Sequence, residues 1–438
     1  MRDILLTMIV GGLIPAILFR PHIGAYAWAW LSLMNPHRGA WGFAYAMPFA
    51  SMVAASTLVG ALFARKRYAL PISPITMTYL AFLAWMSLTS LFAMNTPEIV
   101  FARWLFVVKI HTMMFITLLL LRSRQQIETL IWTVTMSIGF YGVKGGVWTV
   151  ATGGANRVWG PPESMVEGNN ELAVALTMLI PLMIYLIRTA RSRIVRWFMV
   201  LSTIACGAAI LGSYSRGALL ALAAMLLVLG LKGKRPILST VVLACVLAGG
   251  VTFMPDKWTS RMETIGTYEQ DNSAMSRLYT WKTLWALALD RPIVGAGFAT
   301  DNEAVFSRYA PRGDNPIEGY TPVAHSIYFQ ALGEHGFPGL ALYLLLGVLT
   351  WRTAGRLAND TKDDAEFGTW VPMLMKSVQI SLIGFAAGGA FLTLVHFDMP
   401  YYFVIFVALV DATVRETARG KASARPTVIQ ALTEAARR

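Results

Sequence analysis

The chain has 438 residues, of which 56% are hydrophobic and only 14% charged. Soluble domains carry roughly 25% charged residues, so this composition excludes an ordinary soluble globular protein and reads as a polytopic membrane protein. The net charge of +13 would point to nucleic acid in a soluble chain. Here most Lys and Arg fall in short stretches between apolar runs, which makes them a topology signal and an attraction to anionic membrane lipids, with no nucleic-acid partner implied.

On the criterion that roughly 20 apolar residues cross a bilayer, the sequence offers about twelve spans. They cover approximately 4–19, 43–63, 72–93, 104–121, 128–150, 171–188, 197–213, 217–231, 237–254, 323–351, 372–395 and 401–414. The first run ends in Arg20 and Pro21 rather than a small-residue cleavage site, so it reads as a retained span. Residues 24–34 are apolar but short, and read as an interfacial or re-entrant segment. With both termini cytoplasmic, the basic clusters at Arg65–Arg67, Arg122–Arg124, Arg188–Arg196 and Lys232–Arg235 share one side with the 351–370 loop and the basic tail 415–438. Four stretches then lie outside: 20–42, 95–103, 152–170 and the long polar stretch 255–322.

The domain organisation expected is therefore nine spans over 1–254, a large extracytoplasmic loop over 255–322, three spans over 323–414 and a cytoplasmic tail. No internal repeat of fixed period is present. Cys206 and Cys245 both lie inside apolar runs and have neither metal-ligand nor disulfide-framework spacing. In the long loop, Asp271-Asn272-Ser273 marks a helix start and Arg291-Pro292 its end. Between them Leu278, Trp281, Trp285 and Ala288 recur at helical spacing and form an apolar face. Gly295-Ala296-Gly297 is a turn; no preceding strand supports a nucleotide-binding loop.

The chemistry-bearing candidates gather on the outer side. Arg216, in Ser213-Tyr-Ser-Arg-Gly217, sits at a tight turn between two spans, where an interfacial snorkelling role competes with a functional one. Arg277 lies one helical turn before Trp281. His325 opens a span and is suited to proton transfer near neutral pH; it ranks above His335, which sits in a Glu-His-Gly turn. His22, His37, His111 and His396 are scattered and show no metal pairing. Arg103, Arg157, Asn169 and Asn170 are candidates for a surrounding shell. Hard divalent cations need clustered carboxylates, and segment 20–42 has no Asp or Glu while Asp363-Asp364 falls in a cytoplasmic loop as a solvated charge run. The expectation is a site without metal or cofactor, using Arg where others use a cation.

Taken in order, Ser215-Arg216-Gly217, Arg277-x-x-x-Trp281, Pro292-x-x-Gly295-x-Gly297, His325-Ser326 and Glu334-x-Gly336-x-x-Gly339 resemble the O-antigen ligase and polymerase superfamily. Ser326 stands where many members carry Asn. The run Arg20-Pro-His-Ile-Gly24, Trp28-Ala-Trp30, Asn35-Pro-His-Arg38 and Trp41-Gly-Phe-Ala-Tyr45 resembles the exosortase-associated O-glycosylation ligases. The resemblance implies an all-α, GT-C-like membrane glycosyltransferase. Its donor would be a glycan on undecaprenyl diphosphate and its acceptor a sugar of lipid A–core. Arg216 and Arg277 would hold the diphosphate and His325 would be the base. Arg103, Arg157, Asn169, Asn170 and Ser326 would contact substrate. A polymerase or a protein O-glycosylating ligase would share this chemistry. A lipid-linked sugar transporter, the alternative of another class, would show inverted repeats and midplane charges; Lys109 and Lys144 are the only basic residues well within spans.

Overall fold

The computed structural model describes residues 1–64, 69–232, 252, 254–256, 258, 272–311 and 319–423. Helices are the only regular elements among them. They are α1 (Arg2–Phe19), α2 (His22–Met34), α3 (Phe49–Phe63), α4 (Pro74–Thr89), α5 (Pro97–Leu120), α6 (Arg124–Ala151) and α7 (Asn169–Thr189). There follow α8 (Arg193–Gly212), α9 (Arg216–Lys232), α10 (Asn272–Asp290), α11 (Glu303–Tyr309), α12 (Ile327–Asp360), α13 (Val371–Gly388) and α14 (Asp398–Ser423). Seven helical segments are long and apolar enough to cross a bilayer: 2–19, 74–92, 97–120, 169–189, 193–212, 327–360 and 371–391. This is a multi-pass membrane protein. α3 and the apolar part of α9 are shorter. All but residues 252 and 254 of the expected span 237–254, all but 255, 256 and 258 of the stretch 255–271, the cluster Arg65–Arg67 and the tail beyond 423 lie outside the described residues.

Helix starts follow local chemistry. Ser73 caps α4 by accepting the Thr76 N–H at 3.1 Å, with Pro74 at the first helical position, where its missing N–H costs nothing. Ser123 and Gln126 form a reciprocal capping box at α6. α6 and α8 pack closely because glycines line their contact: a Cβ on Gly146 would lie 2.0 Å from the Ala205 carbonyl oxygen, and one on Gly142 2.3 Å from Cys206 Sγ. α14 is buried on every side from Met399 to Val410 and forms the centre of the bundle, as its uninterrupted apolar run requires.

The N-terminal arrangement departs from the sequence expectation. The Asp3 carboxylate accepts the N–H groups of Gly42 and Ala44 at 3.0 and 3.1 Å. Arg38 in turn pairs with Glu163 of the 152–168 loop at 2.9 Å. The N-terminus therefore shares an end of the bundle with the 36–46 segment and the 152–168 loop, rather than lying opposite them. The reason is α2. Its Tyr26 hydroxyl donates to the Gln126 carbonyl at the start of α6, whereas the Met34 carbonyl accepts from Tyr141, past the middle of that helix. Thus α2 runs lengthwise along α6 instead of lying across an interface. Its Gly24, Ala25, Trp28, Ala29, Leu31 and Leu33 are covered by protein, not lipid.

The helix foreseen between Asp271 and Arg291 is α10. Its buried stripe is Tyr279, Thr280, Thr283, Leu284, Leu287 and Ala288, so Ala288 fits the foreseen face but Trp285 stays about half exposed. Trp281 stacks on Phe329 at 5.2 Å, which fastens α10 to the start of α12. The Asp363-Asp364 pair is only partly a solvated run: Asp364 accepts the N–H groups of Glu366 and Phe367 and caps a turn.

Candidate active site

The turn that opens α9 is held by the preceding loop. Tyr214 adopts a positive φ of 61°, and its hydroxyl donates to the Gly154 carbonyl at 2.6 Å. Asn169 Nδ2 donates to the Ser213 carbonyl at 2.7 Å, and the Arg157 guanidinium lies 5.7 Å from the Tyr214 ring centroid. Ser215 Oγ accepts the Ala218 N–H at 3.2 Å, capping the first turn of α9. Two residues foreseen as a surrounding shell, Arg157 and Asn169, thus brace the turn that presents Arg216. Asn170 follows in the first turn of α7.

His325 and Arg277 meet at the junction of α10 and α12. Trp281 Nε1 donates to the Ala324 carbonyl at 3.0 Å, and the His325 N–H donates to Thr393 Oγ1 at 2.8 Å. Both flanks of the His325 backbone, whose φ is +46°, are therefore pinned. Such a conformation is uncommon for a residue other than glycine and persists where surrounding contacts fix it. Burial, and after it the nearby Arg277 charge, pull the His325 imidazole down to about 4 from its ordinary 6.5. At neutral pH it is an uncharged ring with a lone pair. Arg277 also acts electrostatically on Glu171. Ser326, the residue before α12, is buried. Phe391 links the two Arg-bearing helices: its ring centroid lies 6.2 Å from that of Trp281, and its Cβ would lie 4.0 Å from a Cβ on Gly217.

Paired glycines set this junction. Gly295, Gly297 and Gly336 have φ values of 62°, 70° and 67°. The 292–297 turn docks into a break in α12 at Gly336: Ala296 and Gly297 donate their N–H groups to the Gly333 and Glu334 carbonyls at 2.8 Å each, and Phe337 donates to Pro292 at 2.8 Å. A Cβ on Gly295 would fall 2.5 Å from the Gly333 oxygen, and one on Gly336 2.3 Å from the Ile293 oxygen. The two glycine motifs are thus the halves of one backbone-to-backbone contact.

Beside His325 lies a cavity of about 500 Å³. Its walls include Arg103, Trp159, Glu167, Glu171, Asp301, Ala324, Gln330, Glu334, Thr393 and His396. Arg103 is the foreseen residue in this lining. The sequence reading foresaw no acidic cluster on this side, yet four carboxylates converge here. His335, expected in a turn, lies in α12 and is wholly buried. The Thr89 hydroxyl donates to the Met86 carbonyl at 3.0 Å, so Nδ1 of His335, 2.7 Å from Thr89 Oγ1, is the donor of that pair. His335 Nε2 then faces Glu334 Oε2 at 3.7 Å, and His396 Nε2 lies 2.7 Å from the same oxygen. The histidines that seem scattered in sequence therefore include a buried Glu334–His335–His396 group whose donor atoms could hold a metal ion.

Arg277 acts electrostatically on His325, Phe391 joins their helix junction to the turn of Arg216, and residues 201–344 match the O-antigen ligase family. The likeness is to the O-antigen ligase domain, over those residues alone. That segment holds Arg216, Arg277, His325, Ser326 and Glu334, whereas Arg103, Arg157, Asn169 and Asn170 fall within residues 1–191, which match a family of unknown function. His396 and Thr393 lie beyond both matches. A search of curated proteins returns no match. What sequence reasoning missed around the O-antigen ligase domain is the company its His keeps: Thr393, Glu334 and His396. Glu334 stood inside the quoted Glu-x-Gly motif and was the available signal.

Proposed function

We propose that this protein is an O-antigen ligase that transfers a glycan from undecaprenyl diphosphate to a sugar hydroxyl of lipid A–core at the periplasmic face of the inner membrane. The observation carrying this reading is the half-buried His325 imidazole under the influence of Arg277, within a segment that matches the O-antigen ligase family. Arg216 and Arg277 bind the diphosphate, for which guanidinium groups supply charge-assisted, bidentate hydrogen bonds. Their fixed positive charge does the work that a cation does in other transferases, so the transfer needs no metal. A diphosphate leaves without protonation, and the step needs a base only for the incoming hydroxyl.

His325 is that base. Before the donor binds, the Arg277 charge opposes formation of an imidazolium. When the donor binds, its diphosphate neutralises Arg277, and the negative charge developing on the leaving group favours the protonated ring. The base thus gains strength as the donor is seated. Attack from the side opposite the diphosphate inverts the anomeric centre. Both substrates are amphipathic, so their lipid parts stay in the bilayer while their polar heads meet at the end of the bundle.

The test uses the purified full-length protein in detergent with EDTA and undecaprenyl-diphosphate-linked glycan as donor. Lipid A–core, additional donor and a Ser/Thr-rich protein are offered in separate reactions. Product on lipid A–core alone is the expected result. Product only from two donor molecules makes the protein a polymerase, product only on protein makes it a protein ligase, and product only after a divalent cation is added refutes the role given to arginine.

A further inference from the structure

Within the ligase reading just given, and resting on it, we propose that the cavity floored by Glu334 and His396 holds the terminal sugar of the acceptor, and that the diphosphate binds outside it.

Charge comes first. Among the described residues, the cavity wall carries the carboxylates of Glu167, Glu171, Asp301 and Glu334 against the guanidinium of Arg103. A diphosphate placed there would face like charges at short range in a partly dehydrated space, where repulsion is poorly screened. An uncharged sugar meets the opposite situation. Its hydroxyls are donors, and carboxylates accept charge-assisted hydrogen bonds from them. Neither Arg216 nor Arg277 lines the cavity. The positive and negative groups of this end are thus sorted into neighbouring compartments, with His325 between them: Ala324 lines the cavity, and Thr393, also in its wall, holds the His325 N–H.

The floor of the cavity is a fixed polar surface. His396 is only 7% exposed, and its Nε2 engages the Glu334 carboxylate at 2.7 Å. Its other ring nitrogen, Nδ1, is buried without a hydrogen-bond partner among the described residues. Gln330 stiffens the arrangement: its Nε2 donates to Glu334, while its Oε1 accepts the Val395 N–H at 3.0 Å. At the rim, the Trp159 side chain is 58% exposed and offers an apolar face for a sugar ring to lie on. The volume of about 500 Å³ falls in the range of small-molecule pockets, roughly 300–1,000 Å³. These features fit a polyhydroxylated ring better than a protein loop, which brings few hydroxyls.

The residues named here bind and position the acceptor; they are not the base. The test is steady-state kinetics of the full-length protein with undecaprenyl-diphosphate-linked glycan and lipid A–core, each varied in turn. Trp159→Ala and Asp301→Asn change the accessible rim, and His396→Gln changes the floor. Each is expected to raise the KM for lipid A–core by about tenfold while leaving the donor KM within about twofold, whereas Arg216→Lys raises the donor KM. A rise in donor KM with unchanged acceptor KM in the two rim variants overturns the assignment, as does no shift in either. If the wild type glycosylates only a Ser/Thr-rich protein, the sugar assignment falls and the glycosyl-transfer chemistry stands. If the wild type transfers to no acceptor, the ligase reading falls and takes this assignment with it.

Discussion

Replacing Arg277 by Gln is the sharpest probe of how this site tunes its base. His325 is held near about 4, against an ordinary 6.5, by burial first and by Arg277 second. Gln removes the charge and leaves the burial. As the smaller of the two causes, Arg277 accounts for less than half of the drop, so its loss should raise the His325 pKa by at most about one pH unit. The assay is the pH dependence of kcat/KM for the lipid-linked donor, which reports the free enzyme's essential base. The acidic limb should move to higher pH in Arg277→Gln and stay in place in Arg277→Lys, which keeps the charge. The plateau should fall by about 100-fold in Arg277→Gln, the usual consequence of removing a group that stabilises developing charge. A fall in rate with no displacement of the acidic limb would refute the coupling between Arg277 and His325.

Three further outcomes follow from the same contacts. Because His325 is held neutral in the fold, its contribution to stability is full above about 6.5 and is lost as pH falls toward about 4; His325→Gln should flatten that part of the melting-temperature curve. Gly336→Ala should destabilise the protein by about 2 kcal/mol or more, since the new Cβ would lie 2.3 Å from the Ile293 oxygen in a positive-φ backbone; Gly347→Ala, with nothing within 4 Å, should be neutral or slightly stabilising in the same thermal melt. Tyr214→Phe removes the 2.6 Å bond to Gly154 and should cost about 1 kcal/mol, read as a lowered Tm in detergent.

Much of the architecture is legible in the sequence because a bilayer imposes a single rule, a long apolar helix, on each crossing. α10 is legible at both ends for local reasons, Asp271 to Ser273 at one and Arg291-Pro292 at the other. α2 escapes the length rule: a segment buried among other helices need not match the bilayer, so its docking along α6 is not written in its length. The glycine motifs are visible as letters, but that Gly295 and Gly336 occupy one contact is a fact of docking. The acidic cavity is the largest omission. Its carboxylates come from the 159–168 loop, α7, the turn after Gly297 and α12, so no sequence window contains them together. His396 stands 62 residues from Glu334 and carries no local signal at all. By contrast, Arg277 and His325 stand out as candidates in the sequence because each borders a recognisable feature, a Trp-bearing helix face and the start of a span.

The central claim is that His325 takes the proton of the acceptor while Arg216 and Arg277 hold the donor. The most direct measurement is a single-turnover rate of glycan transfer to lipid A–core by His325→Ala, alongside its affinity for undecaprenyl-diphosphate-linked glycan. The account predicts donor affinity close to that of the wild type and a transfer rate lower by about 100-fold or more, the scale of a lost general base. Transfer at a near-normal rate by His325→Ala would contradict it.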